Sequence, residues 1–107
     1  MRPAARHVDR AIAEAAKSPH TDHRHGAVII LKDGHLISGY NNWPLHAEHH
    51  AIIKAGSRAK GATLLVVRAK GRDLKNSRPC PACAKLVEKY NLTAWHSDAD
   101  GHIVRMS

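Results

Sequence analysis

Two short apolar runs do most to limit the fold that this sequence can adopt. Residues 27–31 are entirely aliphatic, and residues 62–67 are interrupted only by Thr63. Runs of this length, rich in Val, Ile and Leu, are typical of strands that are buried on both faces. Such strands need a layer of helices on each side of the sheet, so the sequence predicts the α/β class.

Helical and strand patterns alternate along the rest of the chain. The predicted elements, in order, are a helix (3–17), two strands (26–32 and 35–40), a helix (45–55), a strand (62–67), a basic loop (70–78), a helix (81–90) and two strands (92–97 and 102–106). Asp33-Gly34 and residues 98–101 supply hairpin turns, while Gly56 and Asn91 stand where helix caps are expected. We therefore expect one domain, 1–107, with three α/β/α layers around a five-stranded mixed sheet whose C-terminal strands form a hairpin.

Positive charge is concentrated in one part of the sequence. The 107 residues include 17 Lys and Arg against 9 Asp and Glu, a formal net charge of +8. Ten basic and two acidic residues lie between Lys54 and Lys89, so that segment carries the whole excess. A concentrated positive field favours an anionic partner such as a nucleotide phosphate, a nucleic acid or an acidic surface. The alternative is a solvated face that only keeps the protein soluble.

The sequence indicates no membrane span. Its apolar runs fall far short of the ~20 residues that cross a bilayer. Arg2, Arg6, Asp9 and Arg10 occupy the N-terminal stretch where a signal peptide would be apolar. We expect a cytoplasmic protein with no membrane partner.

Two short motifs at predicted helix starts carry the chemistry. One is His46-Ala47-Glu48, and the other is Pro79-Cys80-Pro81-Ala82-Cys83. One imidazole and two thiolates are a ligand set that suits Zn²⁺, and three protein ligands leave the fourth tetrahedral position to water. Residues i and i+2 lie about 200° apart on a helix, so His46 and Glu48 can serve one site only at the helix start. Glu48 has the chemistry of a proton shuttle beside that water.

The pattern H-x-E…P-C-x-x-C is the signature of zinc-dependent nucleobase deaminases. Residues 25–29 and Gly39-Tyr40-Asn41 also resemble blocks that precede the His-Ala-Glu motif, and the whole chain resembles the cytidine deaminase superfamily. The resemblance implies that His46, Cys80 and Cys83 bind zinc, with Glu48 as the catalytic proton shuttle. It further implies hydrolytic deamination of a cytosine base in a nucleoside or nucleotide, by a homo-oligomer.

Substrate contacts are predicted less directly. The resemblance makes Asn41 a candidate sugar contact and the Ala47 backbone N–H a donor to the pyrimidine carbonyl. His25 is a candidate for stacking on the base, and Trp43 for lining the pocket. Phosphate is expected on four basic residues before the cysteines: Lys70, Arg72, Lys75 and Arg78.

The sequence departs from the substrate groups of that superfamily. It has a predicted hairpin at 98–101, as in the free-cytidine branch, but that branch usually has Cys in place of His46 and a Phe-Asn-x-Glu sugar motif. Four alternatives therefore stay open. They are a closed Cys₂His₂ structural zinc site that includes His50, a redox pair of Cys80 and Cys83, a deaminase of bases in single-stranded DNA or RNA, and a zinc-stabilised binding module for an anionic partner.

Overall fold

The computed structural model describes residues 2–42 and 45–106, and Trp43 lies outside them. The helices are α1 (Ala5–Ala15), α2 (Ala47–Ala55) and α3 (Pro81–Lys89), with a 3₁₀ turn at Gly56–Ala59. The strands are β1 (His25–Ile30), β2 (Leu36–Tyr40), β3 (Thr63–Lys70), β4 (Asp73–Lys75), β5 (Thr93–Ser97) and β6 (Ile103–Arg105). The predicted helices and strands occur in the predicted order, with β4 as one additional strand. None of the described helices is long and apolar enough to cross a membrane.

The strands form one mixed sheet in the order β2-β1-β3-β5-β6, with β4 paired to β3. Strands β3 and β5 run parallel, and the other pairs are antiparallel. The C-terminal hairpin is confirmed, because β5 and β6 pair in antiparallel register from Trp95–Arg105 to Ser97–Ile103. The expected α/β class with a mixed sheet is therefore correct.

The basic segment before the cysteines is more ordered than the sequence predicts. Lys70 ends β3, Gly71 turns the chain at a φ of 62°, and β4 returns along β3. The sheet thus has six strands rather than five. The sequence carries no alternating pattern here, since Leu74 is the one apolar residue of β4, so the pairing depends on backbone hydrogen bonds and on Leu74 packing against the core.

The two faces of the sheet are covered by different helices. Val28 and Ile30 of β1 pack with Leu65 and Val67 of β3 against Ala11 of α1. The alternate residues of the same strands pack against α2 and α3 on the opposite face; they are Ala27, Ile29, Leu64 and Val66. This is the period-2 alternation of a strand buried on both sides, and it gives the predicted three layers.

Two glycines allow the helices to approach the sheet closely. A Cβ at Gly26 would overlap the carbonyl oxygen of Ala11 in α1. A Cβ at Gly39 would lie 2.6 Å from the backbone nitrogen of Ala51 in α2, a distance that real Cβ atoms do not tolerate. Because Gly39 has no side chain, α2 can pack directly against β2. The start of α2, which carries the His46-Ala47-Glu48 motif, is positioned by this contact.

A buried histidine at the start of α1 predicts acid sensitivity of the fold. His7 is 2 % exposed, and its Nδ1 accepts a hydrogen bond from the Ala4 backbone N–H at 2.9 Å. Burial lowers the pKa of His7 below its ordinary 6.5, and the positive charge of Arg6 adds to the effect. The unfolded chain therefore takes up a proton at a higher pH than the folded chain does. We expect the free energy of unfolding to be highest above pH 6.5 and to fall as the pH drops toward the lowered pKa.

His7→Gln separates this titration from the hydrogen bond. Glutamine keeps a side-chain acceptor for the Ala4 N–H, as in a capping box, but does not titrate. Urea unfolding at several pH values between 5 and 7.5 should show a shallower loss of stability in this variant. If stability fell as steeply with decreasing pH in the variant as in the wild type, protonation of His7 would not contribute to the acid sensitivity. Part of the slope should remain in the variant, because burial also lowers the pKa of His25.

Candidate active site

Three potential metal ligands converge where α2 and α3 begin. His46 is the N-cap of α2, Cys80 is the N-cap of α3, and Cys83 lies in the first turn of α3. The His46 Nδ1 lies 3.3 Å from the Cys83 Sγ and 3.5 Å from the Cys80 Sγ. All three ligand atoms lie within 4.8 Å of one another. The starts of the two helices therefore bring their histidine and cysteine side chains together at one place.

The donor set fits a zinc ion. Zinc–donor bonds of ~2.3 Å to sulfur and ~2.0 Å to nitrogen in a tetrahedral site separate neighbouring donors by roughly 3.5 Å. The measured sulfur–nitrogen distances are close to that separation. Burial raises the pKa of the Cys83 thiol, and the negative charge of Glu48 raises it further. A dication at this position offsets both effects and favours the thiolate, so zinc is the cofactor that these residues suit.

The closed four-ligand alternative is not supported by the position of His50. Its Nδ1 lies 3.2 Å from both the backbone nitrogen and the carbonyl oxygen of Tyr40, and its ring stands edge-on to the Tyr40 ring at 5.1 Å. Within the part of the chain that the structure describes, the group at the helix starts comprises His46, Cys80 and Cys83 alone. Three protein ligands are the pattern of a catalytic rather than a structural zinc site.

Glu48 is a buried carboxylate beside this group. It lies in the first turn of α2 and is 5 % exposed. The partial positive charge of a helix N-terminus favours a carboxylate at that place. Its charge acts on the thiol of Cys83 and opposes the lowering of the His25 pKa that burial causes. Glu48 is therefore close to the metal group without being one of its ligands.

A cleft of about 290 Å³ opens over these residues. His46, Glu48 and Cys80 line it, together with four of the residues predicted to contact substrate: His25, Asn41, Ala47 and Arg78. Ala47 is the first residue of α2, so its N–H has no acceptor within the helix. The structure thus places these groups around one space, and their individual roles stay predictions.

Three of the four predicted phosphate ligands lie elsewhere. Lys70 and Lys75 are exposed on β3 and β4, and neither lines the cleft. Arg72 is also outside the lining and pairs with Asp9 of α1 at 2.9 Å. Only Arg78 of the four lies at the cleft, because β4 turns the preceding residues back along the sheet.

Asn41 holds the opposite wall of the cleft. Its Oδ1 accepts a hydrogen bond from the His25 N–H at 2.8 Å, and its Nδ2 donates to the His23 carbonyl at 2.5 Å. The amide predicted to bind a sugar thus also links the end of β2 to the start of β1 and to His23 before it. One amide hydrogen of Nδ2 is left for a ligand.

Five cleft residues were not predicted from the sequence: His20, His23, Asn42, Leu45 and Ser77. His20 and His23 line the cleft from the segment before β1, and Ser77 lines it from the segment before α3. The Ser77 Oγ donates to the Val66 carbonyl at 2.8 Å and lies 2.7 Å from the Ser97 Oγ, so it ties the cysteine motif to β3 and β5. In the sequence, only the close spacing of His20, His23 and His25 could have indicated that these histidines share one site.

Comparison with known proteins places this site in a family. The profile of the cytidine and deoxycytidylate deaminase zinc-binding region matches residues 1–96. Comparison of the sequence with curated proteins gave no significant match.

Several solved structures share the fold. Cytidine deaminase from Burkholderia pseudomallei has 19 % identity and a TM-score of 0.77, over 99 % of this chain and 93 % of that one. The dCMP deaminase of cyanophage S-TIM5 has 21 % identity and a TM-score of 0.72, over 92 % and 86 %. Cytidine deaminase from Mycobacterium leprae has 24 % identity and a TM-score of 0.63, over 92 % and 88 %. Since the profile covers most of the chain, and the three potential zinc ligands meet beside a buried glutamate, this protein belongs to the cytidine and deoxycytidylate deaminase family.

Proposed function

We propose that this chain hydrolyses the amino group of a cytosine base, in a nucleoside or nucleotide, to give uracil and ammonia. The observation that carries the proposal is the position of Glu48, a buried carboxylate that lines the same cleft as His46 and Cys80. A proton carrier next to a three-ligand metal group is what hydrolytic deamination requires. Family membership supports the reaction class, and the base and the sugar are our inference.

The metal and the glutamate divide the chemistry. Zinc, when held by His46, Cys80 and Cys83, lowers the pKa of water from ~15.7 to ~7 and so supplies a nucleophile at neutral pH. Glu48 would accept one proton from the water that adds to C4 and deliver it to N3 of the base. It would then carry the second proton, from the new C4 hydroxyl, to the amine, which leaves as ammonia when the C4–N bond breaks. The Ala47 N–H donates to the pyrimidine carbonyl, which holds the ring against Glu48. Water adds and ammonia leaves, so the reaction needs no oxidant and no co-substrate other than water.

The cleft walls exclude bulk solvent from the reacting base. Ala47 and Glu48 are buried at its floor, while His23 and Arg78 are exposed at its mouth. A base that reaches the floor leaves its sugar near Asn41 and His25. In a water-poor site the electrostatic contacts of the base gain strength.

Three further properties are part of this proposal. Residues 1–107 act as one zinc domain, located in the cytoplasm, where thiol ligands stay reduced. The chain self-associates, which agrees with the exposure of Ile53 on α2, a large apolar side chain that is 59 % exposed.

A substrate panel tests the proposed reaction. We expect zinc-loaded protein to release ammonia from at least one of cytidine, deoxycytidine, CMP, dCMP and dCTP, measured by the absorbance change from cytosine to uracil. Adenosine and single-stranded oligonucleotides complete the panel. Turnover of adenosine alone would overturn the choice of base, and turnover of oligonucleotides alone would favour a nucleic-acid deaminase. Zinc binding without turnover of any member would favour a binding module.

A further inference from the structure

The mouth of the cleft is positively charged and its floor is not. Glu48 is the one acidic residue in the described lining, and it lies at the buried end. Arg78 and His23 are exposed at the open end, and His20 is partly exposed beside them. Arg78 is charged at every physiological pH, and each imidazole offers a further donor. The open end is thus suited to an anion and the buried end to a neutral ring.

The residues of the mouth are held in place by backbone contacts. On one side, Asn41 donates to the His23 carbonyl, and the Arg24 Nε donates to the His20 carbonyl at 2.6 Å. On the other side, the hydrogen bonds of Ser77 fix the residue that directly precedes Arg78. Groups that are already positioned lose less entropy when they bind a ligand. The backbone that carries these side chains is therefore held in a defined position at the mouth.

We propose that Arg78, with His20 and His23, binds the phosphate of a nucleoside monophosphate, so that this protein selects nucleotides over nucleosides. The inference rests on the proposed function, because it assumes that the base occupies the floor beside Glu48. The phosphate then lies at the other end of the ligand, where the positive groups are. A cleft of about 290 Å³ is at the small end of ligand pockets (~300–1,000 Å³) and suits one nucleotide.

A nucleic-acid strand is the alternative ligand for the same cleft. Proteins that hold single strands use aromatic side chains as stacking platforms along a charged groove. No Phe, Tyr or Trp is found in the described lining of this cleft. Trp43, a candidate for lining the pocket, lies outside the described residues, so the single nucleotide is favoured by the cleft volume of about 290 Å³.

Binding measurements test the proposal without depending on turnover. Zinc-loaded Glu48→Gln protein should bind dCMP more tightly than deoxycytidine by about 10- to 100-fold in calorimetry, the range that charge-assisted hydrogen bonds supply. Adding Arg78→Gln to this protein should bring the ratio of the two affinities to within about 3-fold of unity, mainly because dCMP binds more weakly. Arg72→Gln is the matched control, since it removes the same charge from outside the cleft. It should leave the ratio as it was.

Kinetics provide the second readout. In the otherwise wild-type enzyme, Arg78→Gln should raise KM for dCMP by about 10-fold or more and change kcat far less. Equal binding of dCMP and deoxycytidine, or an equal loss in Arg72→Gln and Arg78→Gln, would overturn the proposal. Tighter binding of a 5′-phosphorylated oligonucleotide than of dCMP would also overturn it. If dCMP binds selectively but no cytosine compound is turned over, the phosphate site stands and the proposed deamination fails.

Discussion

Replacement of Glu48 by glutamine is expected to lower kcat by about 10²- to 10⁴-fold, the contribution typical of a positioned general acid–base. Glutamine has nearly the same shape but cannot accept the proton from water or deliver one to the base. The side chain is 5 % exposed, so solvent cannot easily replace it as a proton carrier. Steady-state rates with the best substrate of the panel measure the effect.

Zinc content distinguishes loss of the proton carrier from loss of the metal. Glu48 lies outside the group of His46, Cys80 and Cys83, so the variant should keep about one zinc ion per chain. Glu88→Gln makes the same substitution at an exposed position of α3 and should leave kcat unchanged. If Glu48→Gln retains both its zinc and most of its activity, the proton carrier is another group.

The catalytic centre is predictable from sequence because its residues lie at helix starts. A histidine before one helix and two cysteines at the start of another form a local pattern, and the buried strands around them fix which ends of the helices meet. The meeting of the histidine and cysteine motifs, with Glu48 beside them, follows from this pattern. The separate roles of His46 and His50 do not, because i and i+4 share a helix face in any sequence. Only the contact of His50 with Tyr40 shows that it turns away.

The walls of the cleft are much harder to predict. His20 and His23 belong to an irregular segment, and their position depends on the hydrogen bonds of Asn41 and Arg24, which no periodic pattern encodes. The basic segment after β3 shows the converse problem. Four cations close together in sequence suggest one phosphate site, yet pairing of β4 with β3 leaves only Arg78 at the cleft.

Charge explains less of the function than the sequence suggests. The net charge of +8 arises from the 54–89 segment, but Arg72 is engaged with Asp9, and Lys70 and Lys75 lie outside the cleft. Of the four basic residues predicted to bind phosphate, Arg78 is the one that lines the cleft, and its proposed role in substrate choice rests on that position. Lys70 and Lys75, exposed on β3 and β4, add to the positive field around the protein.

Substitution of Cys83 by alanine is expected to remove the zinc and much of the stability together. Cys83 is 3 % exposed, and its Sγ lies 3.3 Å from the His46 Nδ1, so its loss leaves two ligands at the start of α2 and α3. Zinc per chain should fall from about one to near zero. A ligand present at 100 times its Kd adds about 2.7 kcal/mol, so Tm should drop by roughly 10 °C or more. Metal analysis and thermal unfolding measure the two effects.

A chelator separates loss of the metal from loss of the side chain. Treatment of the wild-type protein should lower its Tm nearly to that of Cys83→Ala, and the same treatment should leave the variant unchanged. The small difference that remains between the two metal-free proteins reports the cavity, about 1 kcal/mol for so small a side chain. Glu48→Gln should respond to the chelator as the wild type does, because its three ligands are intact. If Cys83→Ala still lost stability on chelation, zinc would be held without Cys83, and the three-ligand site would be wrong.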